Sequence, residues 1–167
     1  SRLNQFEVDL DDRCVSIIAK RQPTAGDLRA IVSVMKVITD LERIGDEADR
    51  IARMALDLAD SEKPKHQYAD FRGIHGNVMK MLKRTLDAFA RLDVESALRV
   101  FEDDEFIDRA YNKIVRQSIE TMQNNPEEVE RSVSVMWAAR ALERIGDHAK
   151  NISEYVIYQV KGRDVRH

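Results

Sequence analysis

Cysteine is almost absent from this 167-residue chain, and its one copy, Cys14, excludes an internal disulfide. Prolines number three and glycines six, so little interrupts regular structure. Aromatics are scarce, at 6% of residues. No apolar run approaches the roughly 20 residues that cross a bilayer. No signal-peptide pattern opens the chain, so the cytoplasm is the expected location. The net charge is −3 with both signs interleaved, and the basic stripe that nucleic acid requires is missing. No segment alternates apolar and polar residues for long enough to make a strand. What remains is 43% hydrophobic and 34% charged, arranged at helical spacing, and the expected fold class is all-α.

The spacing predicts five helices. The first covers residues 1 to about 21, with Leu3, Phe6, Leu10 and Ile17 on one arc. Gln22-Pro23-Thr24 ends it, and Thr24 with Asp27 reads as a capping box for a second helix reaching about Asp60. Ser61 to Lys65 is the most loop-like stretch and divides the chain into units 1–62 and 66–161. A third helix runs from about Tyr68 to Leu92. Asp93 caps a fourth, from Val94 to about Gln123. Asn124-Asn125-Pro126 makes a turn, and the fifth helix continues to about Val160, with Gly162 as its stop.

The two units repeat one another. Leu41-Glu42-Arg43-Ile44-Gly45-Asp46 returns as Leu142-Glu143-Arg144-Ile145-Gly146-Asp147, an offset of 101 residues. Val32 to Met35 is answered by Val133 to Met136, and Ala48 and Ile51 by Ala149 and Ile152, the mark of a duplicated unit. Each copy sets a Glu and an Asp one helical turn apart on one face. Matching Glu7 with Asp104 and Asp11 with Asp108, an offset of 97, pairs the first helix with the fourth. The second unit then has three helices and the first only two, which leaves an apolar stripe for another molecule to cover.

Antiparallel packing then collects Glu7, Asp11, Glu42 and Asp46, with Asp49 one turn further, along one seam. Asp104, Asp108, Glu143 and Asp147 gather in the second unit. Four carboxylates without a counterion raise one another's pKa and destabilise the bundle. Arginine is one remedy, and Arg43 and Arg144 are adjacent in sequence. A hard cation is the other, with all-oxygen ligation favouring Mg²⁺, Mn²⁺, Ca²⁺ or iron over thiol-bound zinc. Gly45 and Gly146 stand beside the acids, although glycine inside a helix costs on the order of 1 kcal/mol relative to alanine. Their recurrence points to a close approach by another backbone or a ligand.

At these residues the chain resembles the PhoU family, the phosphate-specific transport accessory proteins of bacteria. The matching features are the doubled Glu-Arg-Ile-Gly-Asp, the stretch from Ile17 to Thr24, Asp27-Leu28-Arg29, and the Tyr158-Gln159-Val160-Lys161-Gly162 ending. The resemblance implies two three-helix bundles side by side, with the first helix of the first bundle lacking a counterpart here. It implies metal ions on the E/D-x-x-x-D motifs, which fall on Glu7/Asp11, Glu42/Asp46, Asp104/Asp108 and Glu143/Asp147. It also implies a cytoplasmic, dimeric regulator rather than an enzyme. Such proteins help silence the phosphate-starvation response, linking the ATPase of the phosphate importer to the sensor histidine kinase.

Two other readings compete. A di-iron carboxylate enzyme needs Glu-x-x-His pairs, and none is present; His66, His75, His148 and His167 read as surface residues. A structural helical adaptor would neutralise its acids with arginine alone. Cys14 reads as a small buried residue, Trp137 and Tyr111 as members of the second core, and the basic ending from Lys161 as a frayed tail. With no strand there is no strand-borne, glycine-rich phosphate cradle; phosphate binding would require a metal cluster with open positions.

Overall fold

A computed structural model describes residues 2–59 and 68–162. The predicted linker and the basic tail after Gly162 lie outside the described residues, as do His66 and His167. The elements are α1 (Arg2–Arg21), α2 (Ala25–Ala59), α3 (Tyr68–Arg91), α4 (Val94–Asn124), a single 3₁₀ turn (Pro126–Glu128) and α5 (Val129–Lys161). Among the described residues the fold is all-α.

Local chemistry sets the helix ends. The Asp93 carboxylate accepts from the Ser96 amide at 3.1 Å and caps α4. The Ser96 hydroxyl also donates to it at 2.7 Å, and that bond, with the amide one, holds its pKa below the usual carboxylate range. At the start of α2 the Thr24 hydroxyl donates to the Asp27 carboxylate at 3.1 Å, a side-chain contact between the two residues of the expected capping box. Pro126 starts a 3₁₀ turn rather than the α-helix itself, so α5 begins three residues later than the pattern suggests. Gly162 ends α5 in the left-handed region at φ 66°, its amide donating to the Tyr158 carbonyl.

α5 is the central helix, packing against α2, α3 and α4. Ile74, Val78 and Met81 of α3, Val100, Ile107 and Ile114 of α4, and Leu142, Ala149 and Ile152 of α5 share one core with Val37 and Ile44 of α2. A second cluster joins Ala88, Ala97, Val156 and Ile157. Inside this packing the Thr85 and Ser153 hydroxyls meet at 3.3 Å, each satisfying a polar group that burial alone would penalise.

Burial differs between the repeats residue by residue. On α5, Val135, Leu142, Ala149 and Ile152 are buried; their equivalents Val34, Leu41 and Ile51 are half-buried and Ala48 is exposed. α4 is packed by both α3 and α5, whereas among the described residues α1 touches α2 alone. Leu3 and Phe6 of α1 are therefore 41% and 50% exposed.

α2 and α5 join the repeats through a polar seam. The Nδ1–H of His148 donates to Asp40 at 2.7 Å, and the Asn151 amide donates to the same oxygen at 3.2 Å. Arg144 pairs with Glu47 at 3.0 Å, and Arg50 joins that carboxylate at 3.1 Å. Asp40, Glu47 and His148 are all buried. This corrects the surface reading of His148: its face of α5 meets α2. His75 is exposed, as expected. Cys14 is buried, and burial raises its pKa, with Asp11 adding to the shift. Trp137 departs from expectation, at 58% exposed; it lies on the face of α5 that no described helix covers. Tyr111 is half-buried against the core with the Arg140 guanidinium 5.7 Å from its ring.

Candidate metal centre

The two helical glycines fix how the repeats superpose. A side chain built on Gly146 would meet Ile107 at 3.4 Å and the Asp104 carboxylate at 3.8 Å. The same atom on Gly45 would fall 2.4 Å from Leu3. Leu3 is thus the counterpart of Ile107, an offset of 104 rather than 97. In that register Asp108 answers to Asn4, and the position matching Asp104 would precede Ser1. Glu7 and Asp11 answer to Tyr111 and Val115. The 97-residue match aligned acid with acid, but packing aligns the apolar side chain that fills the space over each glycine.

Glu7, Asp11 and Glu42 are half-buried and Asp46 is exposed. Asp11 carries a buried oxygen, Oδ1, with no hydrogen-bond partner. Asp49, the extra acid of this seam, is bound instead by Arg53 of its own helix at 2.9 Å.

The second set is coupled. Asp104 and Glu143 are buried, Asp147 half-buried and Asp108 exposed. Burial, then the charge of Asp147, with smaller contributions from Asp108 and Asp104, raises the Glu143 carboxyl to about 7 against the pull of Arg140. Burial, Asp104 and Asp108 raise Asp147 as well. Asp104, Asp108 and Asp147 thus act on Glu143 through their charge across the α4–α5 face.

The cations that answer them are not the ones sequence singled out. Arg144 serves Glu47 across the seam, and Arg43 is exposed. Arg140 donates to Glu143 Oε1, and Lys150 to Asp104 Oδ2 at 2.7 Å. That hydrogen bond raises the Lys150 pKa. The signal was available: Arg140 stands three residues before Glu143 and Lys150 three after Asp147, a spacing that shares a helix face.

The donor set fits a hard cation in its chemistry. It is all carboxylate, it comes from two packed helices, and the helical Gly146 lies beside the Asp104 carboxylate. Glu143 Oε2 is buried with no hydrogen-bond partner, on a side chain only 10% exposed. An anionic oxygen left unpaired in that way is unfavourable by itself. As the side chains stand, no three His, Cys, Asp or Glu groups among the described residues form a ready-made metal nest.

Comparison with known proteins follows the same outline. The PhoU domain model matches residues 1–55 and 71–156. The phosphate-specific transport system accessory protein PhoU homolog of Pseudomonas putida is 49% identical over 166 residues, covering 99% of this chain and 65% of that protein. The corresponding protein of Escherichia coli strain K12 is 42% identical over 165 residues, covering 99% and 68%. The chain thus spans about two thirds of the length of these relatives. The crystal structure of PhoU from Pseudomonas aeruginosa superposes with a TM-score of 0.93 at 46% identity, covering 97% of this chain and 78% of that one. PhoU from Streptococcus pneumoniae, described as a phosphate transport system regulatory protein, gives 0.89 at 27% identity, covering 99% and 77%.

Proposed function

The chain belongs to the PhoU family, and from that premise we propose that it is an accessory regulator of phosphate uptake. It acts by protein contact rather than by catalysis. The observation that carries the reading is the 49% identity along 99% of the chain to a protein named for that role. Its partners in this proposal are the ATPase subunit of the phosphate importer and the sensor histidine kinase of the phosphate regulon. Its location is the cytoplasm, and it works as a homodimer. Among the described residues no helix is long and apolar enough to cross a membrane.

The acidic face of α4 and α5 supports a metal centre in which Asp104, Asp108, Glu143 and Asp147 hold a hard cation. The cation would supply positive charge that offsets repulsion among the four acids and ties α4 to α5. Glu42 and Asp46 contribute to a similar centre in the first repeat. Glu7 and Asp11 stand nearer to it in sequence than in register, and Asn4 takes the place of Asp108. Residues 1–62 and 66–161 form the two repeats.

A second reading, a helical adaptor without metal, draws on the Arg140–Glu143 and Lys150–Asp104 pairs. A metal inventory of the dialysed protein separates the two. The regulatory role is tested in a bacterium lacking its own PhoU protein. Expression of this chain should restore silence of the phosphate-starvation genes in phosphate-rich medium. Unchanged derepression, with the chain present at normal levels, would contradict it.

A further inference from the structure

α5 carries one cation on each side of its acidic pair, and both reach into the site. Arg140 donates to Glu143 Oε1, and Lys150 donates to Asp104 Oδ2 at 2.7 Å. Each also lies beside an aromatic ring of α4 in the same conformation. The Arg140 guanidinium lies 5.7 Å from the centre of the Tyr111 ring, and the Lys150 ammonium 5.8 Å from that of Phe101. An aromatic face holds a cation that has let go of its carboxylate. With both cations in place the acids are drawn to separate partners and no three of them converge. Glu143 Oε2 is buried, and neither cation satisfies it.

We infer that Arg140 and Lys150 are built-in competitors for the second-repeat metal centre: they fill it when it is empty and withdraw onto Tyr111 and Phe101 when it is loaded. This rests on the metal reading of that site. It sets the repeats apart, because the positions matching Arg140 and Lys150 at the 101-residue offset are Thr39 and Asp49. The first repeat therefore lacks competing charges at these two positions, and the second is the one whose metal affinity its own side chains lower.

The test is Mn²⁺ affinity by equilibrium dialysis, with melting temperature in chelator measured beside it. Arg140→Met/Lys150→Met should bind Mn²⁺ at least tenfold more tightly than the native chain and melt lower without metal. Adding Asp108→Asn should remove the gain. Arg99→Met, which deletes a cation paired elsewhere on α4, should leave affinity within twofold. Native binding with no tightening in the double variant overturns the inference alone. No saturable Mn²⁺ binding by either protein overturns the metal reading and the inference with it. Should the double variant not fold, Arg140→Lys against Arg140→Met decides: Met should bind at least threefold more tightly, and equal affinities overturn the inference.

Discussion

Glu143 is the residue on which opposing forces meet most directly. Burial and three nearby acids favour its protonated form, while Arg140 favours the charged one; the balance leaves its pKa near 7. A carboxyl that holds its proton more tightly folded than unfolded makes the folded state less stable as pH rises between the two values. In chelator, the native chain should therefore lose melting temperature from about pH 4.5 to above pH 7. Glu143→Gln cannot ionise, so it should match the native chain near pH 4.5 and melt higher at pH 8. A variant that melts lower than native at pH 8 would show that the charged carboxylate contributes more through Arg140 than it costs through its neighbours. Little of this was visible in sequence. The acids and glycines were, but Arg140 and Lys150 were passed over in favour of arginines next to the acids in the chain. Adjacency along a helix turns a side chain by about 100°, and that took Arg144 to the seam.

At the scale of elements, helix ends were legible because they depend on neighbours in the chain. Asp93, Pro126 and Gly162 each act within a few residues. Registers between helices were not, because they depend on which side chain fills the space over a glycine. Leu3 over Gly45 moves α1 two turns from where acid-to-acid matching set it. The polar seam of α2 and α5 was likewise hidden, since Asp40, Glu47 and His148 are neighbours only once the helices pack. That seam joins the repeats, so it should be sensitive to loss of one partner. His148→Ala leaves the buried Asp40 with Asn151 alone and should cost about 2–3 kcal/mol in denaturant unfolding. A loss below about 0.5 kcal/mol would mean that water replaces the imidazole freely.

At the scale of the molecule, the duplication is complete in pattern and incomplete in packing. Ala48, exposed, matches Ala149, fully buried, and the sequence shows them as the same residue in the same motif. What differs is the helix that α3 supplies in one repeat. Apolar surface of that kind is worth roughly 25 cal/mol per Å² when covered, and in the proposed homodimer two copies would meet through the open face. Sedimentation equilibrium should give the mass of a dimer at micromolar concentration, and Ala48→Glu should shift it towards monomer without loss of helical content. A monomeric native chain at those concentrations would remove the open face as the dimer contact.

The account turns on a cation among the acids of α4 and α5. Crystals grown with Mn²⁺ and measured at its absorption edge test this most directly. The predicted result is an anomalous peak bounded by Asp104, Asp108, Glu143 and Asp147, with Arg140 drawn away from Glu143. No peak there, with Arg140 still bound to Glu143 and Lys150 to Asp104, would contradict it.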